Sequence, residues 1–148
     1  MISVIQRVSN ASVTVNDRKI GAIGTGILAL VAVEQEDTEK QADRLLERIV
    51  NYRIFPDEQG RMNLSLRAIN GGLLIVPQFT LAADTNSGNR PSFTRSAPPE
   101  KGRKLFGYLQ TATDTIHPGT QYGEFGADMQ VALINSGPVT FTLRVSAS

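Results

Sequence analysis

Cysteine and tryptophan are absent from the 148-residue sequence, and histidine occurs once. The missing thiols exclude a disulfide framework, a thiolate metal site, a thiol nucleophile and Cys-based redox chemistry. The lone imidazole, His117, excludes a multi-histidine metal site and leaves one candidate base. Charge of one sign is also lacking: 15 basic against 14 acidic side chains leave a net charge of +1. No overall basic field therefore announces a polyanionic partner, although a local patch can hide in such a sum. Long hydrophobic runs are missing too. The longest, Gly26 to Val33, is too short to span a bilayer. The opening Met-Ile-Ser-Val-Ile-Gln-Arg has neither the n-region nor the h-region of a secretory signal. What is present, at 41% hydrophobic residues, suits one domain over residues 1–148. A chain of this size buries about 68–70% of its unfolded surface. The expectation is a soluble, cytoplasmic, single-domain protein with no membrane segment.

Hydrophobic patterning sets out the elements. Ile2 to Val8 and Ala11 to Val15 read as strands, and Asn16-Asp17-Arg18-Lys19 as a hairpin turn. Gly21, Gly24 and Gly26 read as turn formers before Ile27 to Val33, an apolar run suited to a central strand buried on both faces. Asp37 is placed to cap a helix in which Ala42, Leu45, Leu46, Ile49 and Val50 recur at three-and-four spacing. Arg53 to Phe55 is a short strand, and Leu73 to Val76 begins another that runs on through Gln78-Phe79-Thr80-Leu81. Residues 82–97 form a loop, and Pro98-Pro99-Glu100 opens a second helix that His117-Pro118-Gly119 stops. Two further strands, Met129 to Ile134 and Val139 to Val145, are joined through Asn135-Ser136-Gly137-Pro138. Two main helices cannot cover both faces of a doubly wound sheet. The class is α+β, with a mostly antiparallel or mixed, barrel-like sheet.

Familiar hydrolytic machinery is missing. A Ser-His-Asp arrangement would have to use His117, which sits where a helix-end histidine satisfies the dipole. No serine lies in a Gly-x-Ser-x-Gly elbow, no Walker loop is present, and the early glycines have the wrong order for a dinucleotide fingerprint. Carboxylates, including Glu124 and Asp128, are scattered, and no metal or cofactor site is written in the ligand types. Two segments stand apart. Pro77-Gln78-Phe79-Thr80-Leu81 carries polar residues at a strand end. Asn135-Ser136-Gly137-Pro138-Val139-Thr140 sets a Gly-Pro dipeptide between strong strands. Each has a structural reading, a strand end and a tight turn, beside a functional one. A turn held by tertiary context can point successive carbonyl oxygens in one direction.

At these two segments the sequence resembles the D-aminoacyl-tRNA deacylases, whose signatures are Ser-Gln-Phe-Thr-Leu and Asn-x-Gly-Pro-Val-Thr. The resemblance runs the length of the chain, through Gln6-Arg7-Val8, Tyr52 to Phe55, Met62 to Ser65 and Arg90-Pro91-Ser92-Phe93. It implies hydrolysis of the ester joining a D-amino acid to the 3′ end of tRNA, with mischarged glycyl-tRNA a further substrate. It also implies a homodimer with the active site at the subunit interface, where the Gly-Pro turn of one chain enters the site of the other. By this resemblance Gly137 and Pro138 form the chirality filter and Arg7 holds their turn. Phe79 and Thr80 line the reaction centre beside Gln78, acting through backbone N–H groups or through the Thr80 hydroxyl. No cofactor is implied. Pro77 departs from the family serine, so no serine hydroxyl acts there, and Pro should fall at an edge, a strand end or a bulge. Two rivals are a non-catalytic nucleic-acid-binding module of the same fold and a hydrolase of small D-esters or D-peptides that needs no RNA.

Overall fold

A fourteen-residue strand, β1 (Ile2–Val15), is the axis on which the sheet is laid out. The structure is a computed structural model and describes residues 1–147. The chain reverses at Asn16 and Asp17, with φ of 50° and 62°. A two-residue hairpin demands such left-handed conformations, and Asn and Asp tolerate them. β2 (Arg18–Ile23) and β3 (Gly26–Ala32) then return antiparallel along one edge of β1. Its other edge takes the antiparallel β8 (Gln130–Arg144). β6 (Gly72–Pro77) joins β3 in parallel, and the two-residue β7 (Gln121–Tyr122) joins β6 in parallel. The sheet is therefore mixed and curls nearly into a barrel, as the α+β reading expected. Closure brings β2 against β7 at Gly21, where an added Cβ would lie 3.3 Å from the Tyr122 carbonyl oxygen. Gly21 thus serves close packing inside a strand and is not a turn former.

Burial of both faces explains the apolar runs. Ile27, Ala29, Val31, Leu73 and Ile75 face the helices, while Leu28, Leu74 and Val76 point into the curled sheet with Val8 and Val13. α1 (Glu39–Asn51) sets Leu45, Leu46, Ile49 and Val50 into the first core. α3 (Pro99–Ile116) adds Leu105, Phe106 and Leu109. Side chains of this kind each contribute roughly 1.5–3 kcal/mol on full burial, so the helices are held mainly by these faces. Thr38, not Asp37, caps α1, in a capping box with Gln41 typically worth ~1 kcal/mol at the cap. Asp37 is instead 2% exposed and bound to the N-terminal ammonium. His117 caps the end of α3, buried, with Nε2 2.7 Å from the Gly71 carbonyl oxygen. The helix-end reading of that residue is the observed one.

Several expectations are revised. The strands expected at 2–8 and 11–15 are one, because Ser9 and Asn10 continue it across an irregular register. A small hairpin of β4 (Arg53–Pro56) and β5 (Met62–Ser65) and a one-turn helix α2 (Leu66–Ile69) precede β6. β6 stops at Pro77, and Phe79–Ala82 forms a short 3₁₀ helix where the strand was expected to continue. Proline lacks the N–H that would extend the ladder, so the strand ends on it. The two C-terminal strands are also one: β8 runs through Asn135-Ser136-Gly137-Pro138 and stays paired with β1 on both sides.

Candidate active site

The two segments singled out by sequence lie in contrasting settings. Gln78 leaves the buried strand β6 with its N–H donated to the Val31 carbonyl over 2.7 Å. Phe79 and Thr80 follow as the first residues of the short helix. Intrahelical acceptors do not exist for the first N–H groups of a helix. Among the described residues neither the Phe79 nor the Thr80 N–H donates to any backbone or side-chain acceptor. Gln78 Nε2 donates to Thr80 Oγ1 over 3.1 Å, and the Phe79 carbonyl accepts from Ser96 Oγ at 3.2 Å. No imidazole, lysine or carboxylate bonds the Thr80 hydroxyl among the described residues.

These residues form one wall of a cavity of about 670 Å³. Phe93, Phe125, Met129 and Val131 add large apolar side chains to the lining, and Asp128 is its one ionisable lining residue among the described residues. Phe79 is 59% exposed and meets Phe93 at a ring-centroid separation of 5.3 Å, tilted by 53°. The lining is thus apolar and aromatic, with free backbone donors at one point. The side chains with displaced pKa values lie outside it. Burial first, and then a hydrogen bond to Asp114, hold the Tyr122 phenol well above its ordinary value. Tyr108 is raised by its hydrogen bond to Asp43. No group of three or more His, Asp or Glu side chains among the described residues could hold a metal ion.

Gly137 and Pro138 do not line that cavity. They lie on the exposed strand β8, six residues beyond Val131, which at ~3.3 Å per residue is roughly 20 Å of extended chain. Val8 pairs Asn135 and Gln6 pairs Thr140, so four residues of β8 bulge opposite Arg7 alone. The Gly137–Pro138 peptide is cis. Side chains clamp the bulge. Arg7 Nε donates to the Ser136 carbonyl at 2.9 Å while its Nη1 donates to the Ile54 carbonyl at 2.8 Å. Asn135 Nδ2 reaches the carbonyls of Arg7 at 3.1 Å and Val139 at 2.9 Å, tying the base of the bulge. A Cβ at Gly137 would collide with the Val139 nitrogen and lie 2.6 Å from Asn135 Oδ1, so the position accepts only glycine without rearrangement.

The structure therefore brings Gln78, Phe79 and Thr80 together in one wall, and Arg7, Gly137 and Pro138 together in one bulge, but does not join the two groups within one cavity. Sequence reasoning missed Asn135 as a clamp, although it opens the second motif. It also missed Phe93, Ser96 and Asp128 as parts of the cavity. Phe93 and Ser96 come from a long loop and Asp128 from a glycine-rich connection, where no periodicity signals a facing partner.

Comparison with known proteins gives a consistent assignment. A family model described as D-Tyr-tRNA(Tyr) deacylase matches residues 4–144. A D-aminoacyl-tRNA deacylase of Cupriavidus pinatubonensis (strain JMP 134 / LMG 1197) is 59% identical, over 98% of this chain and 96% of the relative. One of Paraburkholderia xenovorans (strain LB400) is 57% identical, over 99% of this chain and 100% of the relative. Among solved structures, a c-Myc DNA unwinding element binding protein superposes with a TM-score of 0.93 at 39% identity, covering 99% of this chain and 100% of that one. A probable eukaryotic D-amino acid tRNA deacylase shares the fold, with a TM-score of 0.84 at 14% identity over 96% and 97% of the two chains.

Proposed function

Because the chain belongs to the D-Tyr-tRNA(Tyr) deacylase family, we propose that it hydrolyses the ester of D-aminoacyl-tRNA in the cavity beside Gln78, Phe79 and Thr80. The observation that carries this is the pair of unpartnered N–H groups on Phe79 and Thr80 at the wall of an apolar cavity. Water adds to the ester carbonyl, and the oxygen that becomes negative is met by these two donors. Each such donor is typically worth ~2.7–4 kcal/mol at the transition state. The tetrahedral intermediate then collapses, expelling the ribose oxygen, which takes up a proton, and leaving the free amino acid and tRNA. An aminoacyl ester is already activated, and the neighbouring ribose hydroxyl of the substrate positions the water, so the protein needs no base of its own. The exposed Phe79 and Phe93 rings offer stacking area for the terminal base, a contact worth about 1–3 kcal/mol in single-stranded RNA recognition.

Selection of handedness is assigned to Gly137 and Pro138, with Arg7 as the positioning residue that holds the bulge. Carbonyl oxygens so clamped leave no room for an L side chain and are blind to which D side chain points away. Glycine, having none to reject, passes, so glycyl-tRNA is also a substrate. That this bulge does not line its own chain's cavity supports its supply by a second copy of the chain, in a homodimer. Ile134 and Phe141, exposed on the same strand, support an interface there. Among the described residues no helix is long and apolar enough to cross a membrane, and the reading places the protein in the cytoplasm with its tRNA substrate.

The test is turnover of D-Tyr-tRNA, L-Tyr-tRNA, Gly-tRNA and a free D-tyrosine ester by the purified protein. Hydrolysis of the D- and glycyl-tRNAs with the L-form spared is expected. One structural neighbour is a DNA unwinding element binding protein, which favours the rival of a nucleic-acid-binding module; binding without turnover would establish it. Turnover of the free ester alone would establish a small-ester hydrolase.

A further inference from the structure

We propose that Asp37, buried behind the cavity and holding the Met1 ammonium, positions the Phe79–Thr80 donors for the reaction through the turn it locks. The ammonium bonds Asp37 Oδ1 at 2.8 Å, Glu34 Oε1 at 3.1 Å and the Val145 carbonyl at 2.7 Å, and Met1 is wholly buried. Asp37 Oδ2 accepts the Glu34 N–H at 2.7 Å, so one carboxylate locks both the ammonium and the turn that follows β3. That turn is stitched to the cavity wall. The Gln35 N–H donates to the Arg95 carbonyl at 3.1 Å, and the Ala97 N–H to the Val33 carbonyl at 3.0 Å. Between them Ser96 donates to the Phe79 carbonyl. A second route is direct, because Met1 lines with Gln78 and Phe79 a small pocket of about 30 Å³. The cluster therefore reaches the catalytic segment through a hydrogen-bonded relay and through packing.

Stability alone does not explain such a cluster. Desolvating charges is costly, and buried ion pairs replaced by apolar groups often leave proteins as stable or more so. What a fixed ion cluster does supply is one orientation of the chain around it, and donors that must meet an oxyanion within tenths of an ångström need that.

In its catalytic consequence the proposal rests on the deacylase reading, and the experiment separates the two. Asp37→Asn, Ser96→Ala and the double variant are assayed on D-Tyr-tRNA. Each single change is expected to lower kcat by about tenfold with KM changed less than about twofold. The double is expected to lose no more than the worse single, since both break one relay. Multiplicative losses in the double variant, or a kcat left intact beside a lowered melting temperature, would overturn the proposal. Should Asp37→Asn not fold, Glu34→Gln takes its place in the cycle. Hydrogen exchange over residues 78–83 reads the relay without substrate. Exchange faster in the single variants than in wild type is expected, and unchanged exchange counts against the relay. A wild-type protein inert on D-Tyr-tRNA would instead remove the deacylase reading and leave the relay to be judged on exchange.

Discussion

Gln78–Ala82 and Asn135–Thr140 carry the two motifs, and the fold holds them by opposite means. The first hangs from β6, whose Leu73, Leu74, Ile75 and Val76 are all fully buried, so the core positions it. The second bulges from β8; Ser136, Gly137 and Pro138 are exposed there, and within the motif only Val139 is buried. Hydrogen bonds from Arg7 and Asn135 do there what burial does for the other. The difference predicts that changes at the bulge abolish function in a folded protein, whereas a change to the Thr80 side chain that leaves the backbone in place is tolerated.

The sharpest attempt to break that contrast is Gly137→Ala. The new Cβ collides with backbone and with Asn135. Loss of D-aminoacyl-tRNA turnover by ~10²-fold or more is expected, on the scale of a 1 Å misplacement at a reacting centre, with circular dichroism unchanged. Next comes Arg7→Ala, which frees the carbonyls of Ser136 and Ile54. Discrimination between D- and L-Tyr-tRNA should fall by about tenfold, the equivalent of ~1.4 kcal/mol, while the melting temperature moves little. Smaller still is Thr80→Val. If the backbone N–H is the working group, activity stays within about threefold of wild type; a collapse of turnover would assign the hydroxyl a covalent role. Smallest is Pro77→Ser, which restores the family residue at a strand end with no donor or acceptor of its own in the reaction. Rates should be unchanged, and a large gain would show that the site as it stands is impaired.

Local pattern made much of the fold readable. Two-sided burial announced β3 as a continuous apolar run, three-and-four spacing announced α1, and Pro99 and His117 marked the limits of α3. The errors fall where a neighbour decides. Asp37 looks like a cap until the ammonium claims it. Asn135-Ser136-Gly137-Pro138 looks like a turn until β1 is seen to pair with both flanks. The residues of the candidate site were named from two short motifs, but their division into a wall and a separate bulge was not visible, because distance between strands is not encoded in spacing along one.

By itself, then, the sequence determined which runs must be buried and which two motifs stand apart from them, since hydrophobic period and backbone capacity are local properties of the chain. Only the tertiary structure decided that the Phe79 and Thr80 donors are left unpaired, that Arg7 and Asn135 clamp the bulge, and that the N-terminal ammonium lies buried behind the cavity. Hydrogen bonds and ion pairs between segments far apart in the chain form only once the core has brought them within about 3 Å, and no local rule anticipates which will meet.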